Sequence, residues 1–113
     1  MKRVLLPLMV ALSTGCPTEN PTEMPSERVD TILALTGDAA TGGDVYTARC
    51  ASCHNADGSG GIGPSLVTEI PASTDEAVLT VVIDGEGSMP SNGDLADQDL
   101  ADLLAYLNQE FGG

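Results

Sequence analysis

Cys50-Ala51-Ser52-Cys53-His54 is the stretch that decides how this chain folds. Two thiols with two residues between them, followed at once by an imidazole, are the chemistry of covalent haem attachment. Each thiol adds to one haem vinyl group, and the adjacent histidine reaches the iron from the same side. The rest of the chain must then supply a sixth ligand, a core and a suitable compartment.

His54 is the only histidine in the 113 residues, which excludes two-histidine ligation of one iron and any histidine-rich metal cluster. Its second ring nitrogen needs an acceptor to fix the ring's orientation and basicity. The backbone carbonyl of Pro64, in Gly63-Pro64-Ser65-Leu66, is the candidate. Met89 is the expected sixth ligand. Past the N-terminal segment only Met24 and Met89 remain. Met24 lies in a proline-rich stretch with no rigid approach to iron, whereas Gly85-Glu86-Gly87-Ser88-Met89-Pro90 is a loop able to carry a thioether to the far haem face. A neutral thioether opposite histidine favours Fe(II) and raises the reduction potential.

Other uses of these residues fit less well. A thioredoxin-type Cys-x-x-Cys needs a strand–helix context, and a zinc site needs a second ligand pair that one histidine and no further cysteine cannot provide. Gly58-Ser59-Gly60-Gly61-Ile62-Gly63 satisfies a dinucleotide-binding pattern, but no strand precedes it and no βαβ unit would fit. It is expected to be a flexible wrap between the attachment site and Pro64.

The N-terminus has the layout of an export signal. Lys2 and Arg3 precede a short apolar run, Val4 to Leu12, and small residues Ser13-Thr14-Gly15 precede Cys16. The run is well short of the roughly 20 residues that cross a bilayer. Small residues before a cysteine resemble a bacterial lipobox, although Ser13 stands where leucine is more usual. Lipidation of Cys16 would leave a protein held on a membrane by several acyl chains. It would also account for every cysteine: Cys16 for lipid, Cys50 and Cys53 for thioethers, none for a disulfide. Residues 1–16 are thus the expected signal segment, and 17–36 a Pro/Thr/Glu-rich tether reaching roughly 60 Å if fully extended at about 3.1 Å per residue. Its second half, with Val29, Ile32, Leu33 and Leu35, is expected to dock on the domain that follows at 37–113.

After Cys16 stand 17 carboxylates and only Arg28 and Arg49, a formal charge of −15. Such a surface excludes nucleic acid and disfavours anionic lipid, and it favours a partner with a basic docking patch.

The domain is expected to be all-α, three or more helices around the haem. Asp38 can cap a first helix running to Arg49. Gly42 and Gly43 lie inside it, each costing about 1 kcal/mol relative to alanine, a cost that makes sense if another backbone crosses closely. A second helix is expected from Thr74 to Ile83, ended by Gly85. In the last, Leu100, Leu103, Leu104, Leu107 and Phe111 form one apolar stripe at helical spacing. No stretch alternates with period two for long enough to make a sheet. About 77 residues give little core, so the apo form is expected to be largely unfolded.

From Gly37 onward the chain resembles the class I c-type cytochromes, the small monohaem bacterial kind. Gly42 and Tyr46 before Cys50, then the attachment motif, Gly63-Pro64-Ser65-Leu66, Ser88-Met89-Pro90 and Asp102-Leu103-Leu104-Ala105-Tyr106-Leu107 carry the resemblance in order. It implies a first and last helix that cross at Gly42, Tyr46 and Tyr106. Three departures stand out. Asn55 follows His54 where glycine is usual; His54 and Met89 are only 35 positions apart, so intermediate helices should be short; and the lysines that often ring the haem edge are missing.

The resulting expectation is a lipid-anchored, monomeric electron carrier on the periplasmic side of a bacterial membrane, or a soluble periplasmic one. It would hold one haem c through Cys50 and Cys53, with His54 and Met89 as axial ligands, and perform no bond chemistry. The alternatives are a haem c subunit serving a larger redox enzyme, and a gas sensor with a labile Met89.

Overall fold

The computed structural model describes residues 25–112. The expected signal segment, Cys16, Met24 and the first part of the tether lie outside the described residues. Six helices fold in the order α1 (Pro25–Leu33), α2 (Ala39–Arg49), α3 (Ala51–His54), α4 (Leu66–Ala72), α5 (Asp75–Asp84) and α6 (Asp97–Phe111). Among the described residues there is no strand, only an isolated bridge between Glu86 and Met89. The all-α expectation holds. No helix among them is long and apolar enough to cross a membrane.

The two strongest helix expectations are met in detail. Asp38 caps α2, its carboxylate accepting from Ala40 N at 3.0 Å and from Thr41 Oγ1 at 3.0 Å. In α6 the whole stripe Leu100, Leu103, Leu104, Leu107 and Phe111 is buried. These helices pack chiefly on each other. Gly42 makes the approach possible, since a Cβ there would overlap the carbonyl of Asp102 and lie 2.9 Å from Cβ of Tyr106. Tyr46 fills the crossing, with ring centroids 5.4 Å from Tyr106 and 5.6 Å from Phe111. The Gly–Tyr–Tyr contact implied by the resemblance is therefore present, with Phe111 as a third ring. Buried Asp102 ties the start of α2 to α6, accepting from the Asp38 amide at 2.8 Å and Gln98 Nε2 at 2.9 Å.

Helix α5 begins at the Thr74 cap, whose hydroxyl accepts from Ala77 N at 3.1 Å, and ends at Gly85 in the left-handed region. It has two apolar faces. Leu79, Val82 and Ile83 enter the core, while Ala77, Val78 and Val81 turn to an open cleft together with the edge of Val82.

The second half of the expected tether docks on the domain, and it does so as a helix. Residues 25–33, assigned from sequence to the tether, form α1, which packs on α5 and α6 with Val29 and Ile32 buried. Val29, Ile32 and Leu33 recur at i, i+3 and i+4, one face of a helix, and burying that face outweighs the polar composition around it. Helix α1 therefore packs as part of the same unit as the domain expected at 37–113. Two short helices also add to the expected set: α3, one turn carrying the attachment motif, and α4, with Pro71 in its last turn. Between His54 and Met89 the helices have seven and ten residues, short as the spacing suggested.

Candidate haem site

An apolar cleft of about 270 Å³ opens between α3, α4, α5 and the loop before α6. Cys50, Cys53 and His54 line one side; Leu66, Ile70, Val78, Val81, Val82 and Leu107 line its floor and walls; Met89 lines it as well. Every candidate cofactor residue named from sequence, Pro64 included, meets at this one cleft.

The single turn of α3 positions three of them. Cys50 accepts from the amides of Cys53 at 3.1 Å and His54 at 3.0 Å, so Cys50, Cys53 and His54 are fixed as one unit. His54 is buried, and its Nδ1 lies 2.8 Å from the Pro64 carbonyl. A carbonyl only accepts, so this contact calls for a proton on Nδ1, and in the neutral ring that puts the lone pair on Nε2, the tautomer a metal ligand needs. Gly63 lies against the ring: a Cβ there would come 2.6 Å from Cε1 and 2.9 Å from Nδ1. The loop from 55 to 65 wraps this turn through Gly60 N to His54 O (3.0 Å) and Gly63 N to Cys53 O (2.9 Å). The glycine-rich segment, expected as a flexible wrap between the attachment site and Pro64, is thus tied to the His54 turn by backbone bonds.

Asn55 bears the cost of the turn. Its φ of 67° and ψ of 157° belong to a region that glycine adopts freely and other residues at about 1–3 kcal/mol. The side chain compensates, with Nδ2 donating to Gly60 O at 2.6 Å and Ser59 Oγ at 3.2 Å. The Asn55 carbonyl in turn accepts the Tyr46 hydroxyl at 2.6 Å. Burial is the first cause that pushes the Tyr46 hydroxyl up to about 12, so it stays a donor through the neutral range.

Met89 stands on a tight turn closed by Glu86 N to Met89 O (3.2 Å) and Met89 N to Glu86 O (2.9 Å). It is partly buried against the core. Gly87 has φ 60°, which this turn requires.

The cleft fits a haem held by thioethers. It is apolar, it gathers a paired-thiol turn, an imidazole of fixed tautomer and a thioether, and it is open at Ile62, which is 83% exposed. A redox dithiol fits less well. Burial pushes the Cys50 thiol up to about 11, against the lowered values that make a reactive thiolate. No group of three His, Cys, Asp or Glu among the described residues could hold a metal ion.

Charge around the site is one-sided. Glu69 and Glu86 stand at the cleft. Arg28 pairs with Asp97 at 2.9 Å and Arg49 with Asp94 at 2.8 Å, so both arginines are engaged. Sequence reasoning missed these two pairs, because partners 69 and 45 positions apart leave no local signal.

The family model "Cytochrome C oxidase, cbb3-type, subunit III" matches residues 37–107. A cytochrome c6 of Picosynechococcus sp. is 35% identical over 88 residues, covering 66% of this chain and 74% of that protein. A cytochrome bc1 complex cytochrome c subunit of Mycobacterium bovis is 34% identical over 74 residues, which is 62% of this chain but only 26% of that one. The crystal structure of cytochrome c6 from the diatom Phaeodactylum tricornutum superposes with a TM-score of 0.55 at 30% identity, over 68% of this chain and all of that one.

Proposed function

The chain belongs to the c-type cytochromes, and from that premise we propose that it is a monomeric one-haem electron carrier with Cys50 and Cys53 as attachment points and His54 and Met89 as axial ligands. Haem c supplies a one-electron Fe(III)/Fe(II) couple when bound. The polypeptide's work is to hold, orient and shield it.

Each residue has a defined task. The Cys50–His54 turn presents two sulfurs and one imidazole from a rigid unit. The Pro64 carbonyl, 2.8 Å from Nδ1, accepts from that nitrogen and aims the ring. Met89 offers a neutral sulfur, which favours the reduced state. The aliphatic walls from α4, α5 and α6 exclude water, which keeps the reorganisation on electron transfer small. The observation that carries this reading is the convergence of a tautomer-locked His54 and the turn-borne Met89 on one apolar cleft.

The setting is extracytoplasmic. An export signal over residues 1–16 and lipid on Cys16 would place the domain on the periplasmic side of a bacterial membrane, with the Pro/Thr/Glu-rich residues after Cys16 as tether. That arrangement raises the effective concentration near a membrane-bound partner. Seventeen carboxylates, with both later arginines paired, favour a redox partner that presents a basic surface.

Met89→Ala tests the ligand assignment. The variant is expected to have a lower midpoint potential and to bind CO stoichiometrically when reduced, while the wild type binds none on mixing. Ready CO binding by the wild type would instead favour a gas sensor with a labile Met89. Co-purification with a larger oxidoreductase would mark a subunit role.

A further inference from the structure

Between Met89 and α6 the chain runs as a strap, residues 90–96, without helix or strand. The described residues contain two cationic side chains, Arg28 and Arg49, and both end on this strap or the first residue of α6. Arg28 comes from α1. Its Nη1 donates to Gly93 O at 2.8 Å, its Nη2 to Leu95 O at 2.7 Å and its Nε to Asp97 Oδ1 at 2.9 Å. Arg49, the residue before Cys50, donates to both Asp94 oxygens at 3.0 and 2.8 Å and to Asn92 Oδ1 at 3.0 Å. Buried Asn92 passes that hold on: its amide donates to Val82 O at 2.8 Å, and its Nδ2 to Pro90 O at 3.4 Å, beside Met89.

We propose that Arg28, seconded by Arg49, is a positioning residue for Met89. The two guanidiniums hold the strap so that the thioether stays seated in the cleft. This inference rests on Met89 being an axial ligand.

Three features favour a positioning role over a generic surface pairing. An exposed ion pair contributes about 0–1 kcal/mol, but the Arg28 side chain is only 24% exposed and spends two of its three bonds on main-chain carbonyls. Only a planar fork can span Gly93 O, Leu95 O and Asp97 together; a lysine cannot. Arg28 also stands on a helix anchored independently by Val29 and Ile32, so its grip is rigid. That helix lies before the span the family model matches, 37–107, so the brace comes from outside that span.

If haem is held by Met89, loosening of the strap would unseat the thioether and leave its place to a competing ligand. Its apparent affinity scales with the open fraction. Loss of the charge-assisted bonds of Arg28 should raise that fraction about tenfold. Imidazole binding to the ferric holoprotein reads this directly. Arg28→Ala should bind imidazole about tenfold more tightly than the wild type and lose part of the long-wavelength absorption that a thioether gives ferric haem. Arg28→Lys, which keeps a charge opposite Asp97, should lie between, and it serves alone if the alanine variant does not fold. Arg49→Ala should shift the same way by less, because its partner carboxylate is 65% exposed. Unchanged imidazole affinity and an intact thioether band, with only a lower denaturation midpoint, would overturn the proposal and leave Arg28 as a general stabiliser. A wild type that lacks the band would overturn the Met89 assignment itself, and this inference with it.

Discussion

Gly42→Ala is expected to destabilise the holoprotein by about 3 kcal/mol or more, at the upper end of what overpacking costs. The sign is the informative part. In an ordinary helix interior the same change gains about 1 kcal/mol, since alanine is the better helix former. At position 42 the new Cβ would overlap the Asp102 carbonyl, and backbone cannot move aside as a side-chain tip can. To relieve it α2 and α6 must separate, which also loosens Tyr46 from Tyr106 and Phe111 and strains the Asp38–Asp102 tie. Gly43→Ala is the matched control. Its Cβ would meet only the Tyr106 ring, at 3.1 Å, and that ring is partly exposed and can shift. Guanidinium denaturation followed by far-ultraviolet circular dichroism separates the two: a large drop at 42, a small change of either sign at 43.

The second large effect concerns the cofactor. Cys50→Ala/Cys53→Ala, or the unmatured chain, is expected to lose most of its helical ellipticity. The aliphatic side chains around the cleft, Ile70, Val78, Val81, Val82 and Leu107 among them, face a volume that haem would fill. The domain has a single Phe and two Tyr to build a core with, and a domain of this size has little margin. The α2–α6 crossing is the part with contacts of its own, so residual helix should concentrate there. Circular dichroism of the matured and thiol-less proteins at equal concentration measures the difference. Equal ellipticity and equal melting would mean that the helices hold without the porphyrin.

The parts of this molecule that were legible in its sequence are those whose cause is local or chemically unusual. Cys50, Cys53 and His54 form a pattern with few uses, and the glycine–proline loops around Pro64 and Met89 follow from the need to reach both sides of one flat group. The stripe in α6 announces itself because five apolar residues fall on one period. Helix α5 was legible as a helix but less so by face. Its apolar residues serve two surfaces, Leu79 and Ile83 inward and Ala77, Val78 and Val81 toward the cleft.

What stayed hidden depends on distance. Docking of the stretch with Val29 and Ile32 was legible from its apolar residues, but its helical form and the reach of Arg28 to a strap more than 60 positions away were not. Helix α4 is short, carries Pro71 and leaves Val67 half exposed, so no period emerges over seven residues. The strain at Asn55 was visible only as an odd residue after His54; its conformation and the two side-chain bonds that offset it required coordinates.

Mass spectrometry of the matured protein under denaturing conditions, with a visible spectrum of the same sample, tests whether haem is bonded to Cys50 and Cys53. One haem is expected to stay with the chain after unfolding, with no alkylatable thiol at Cys50 or Cys53 and the reduced-minus-oxidised spectrum of a low-spin c-type haem. A colourless product whose two thiols both react with iodoacetamide would contradict it.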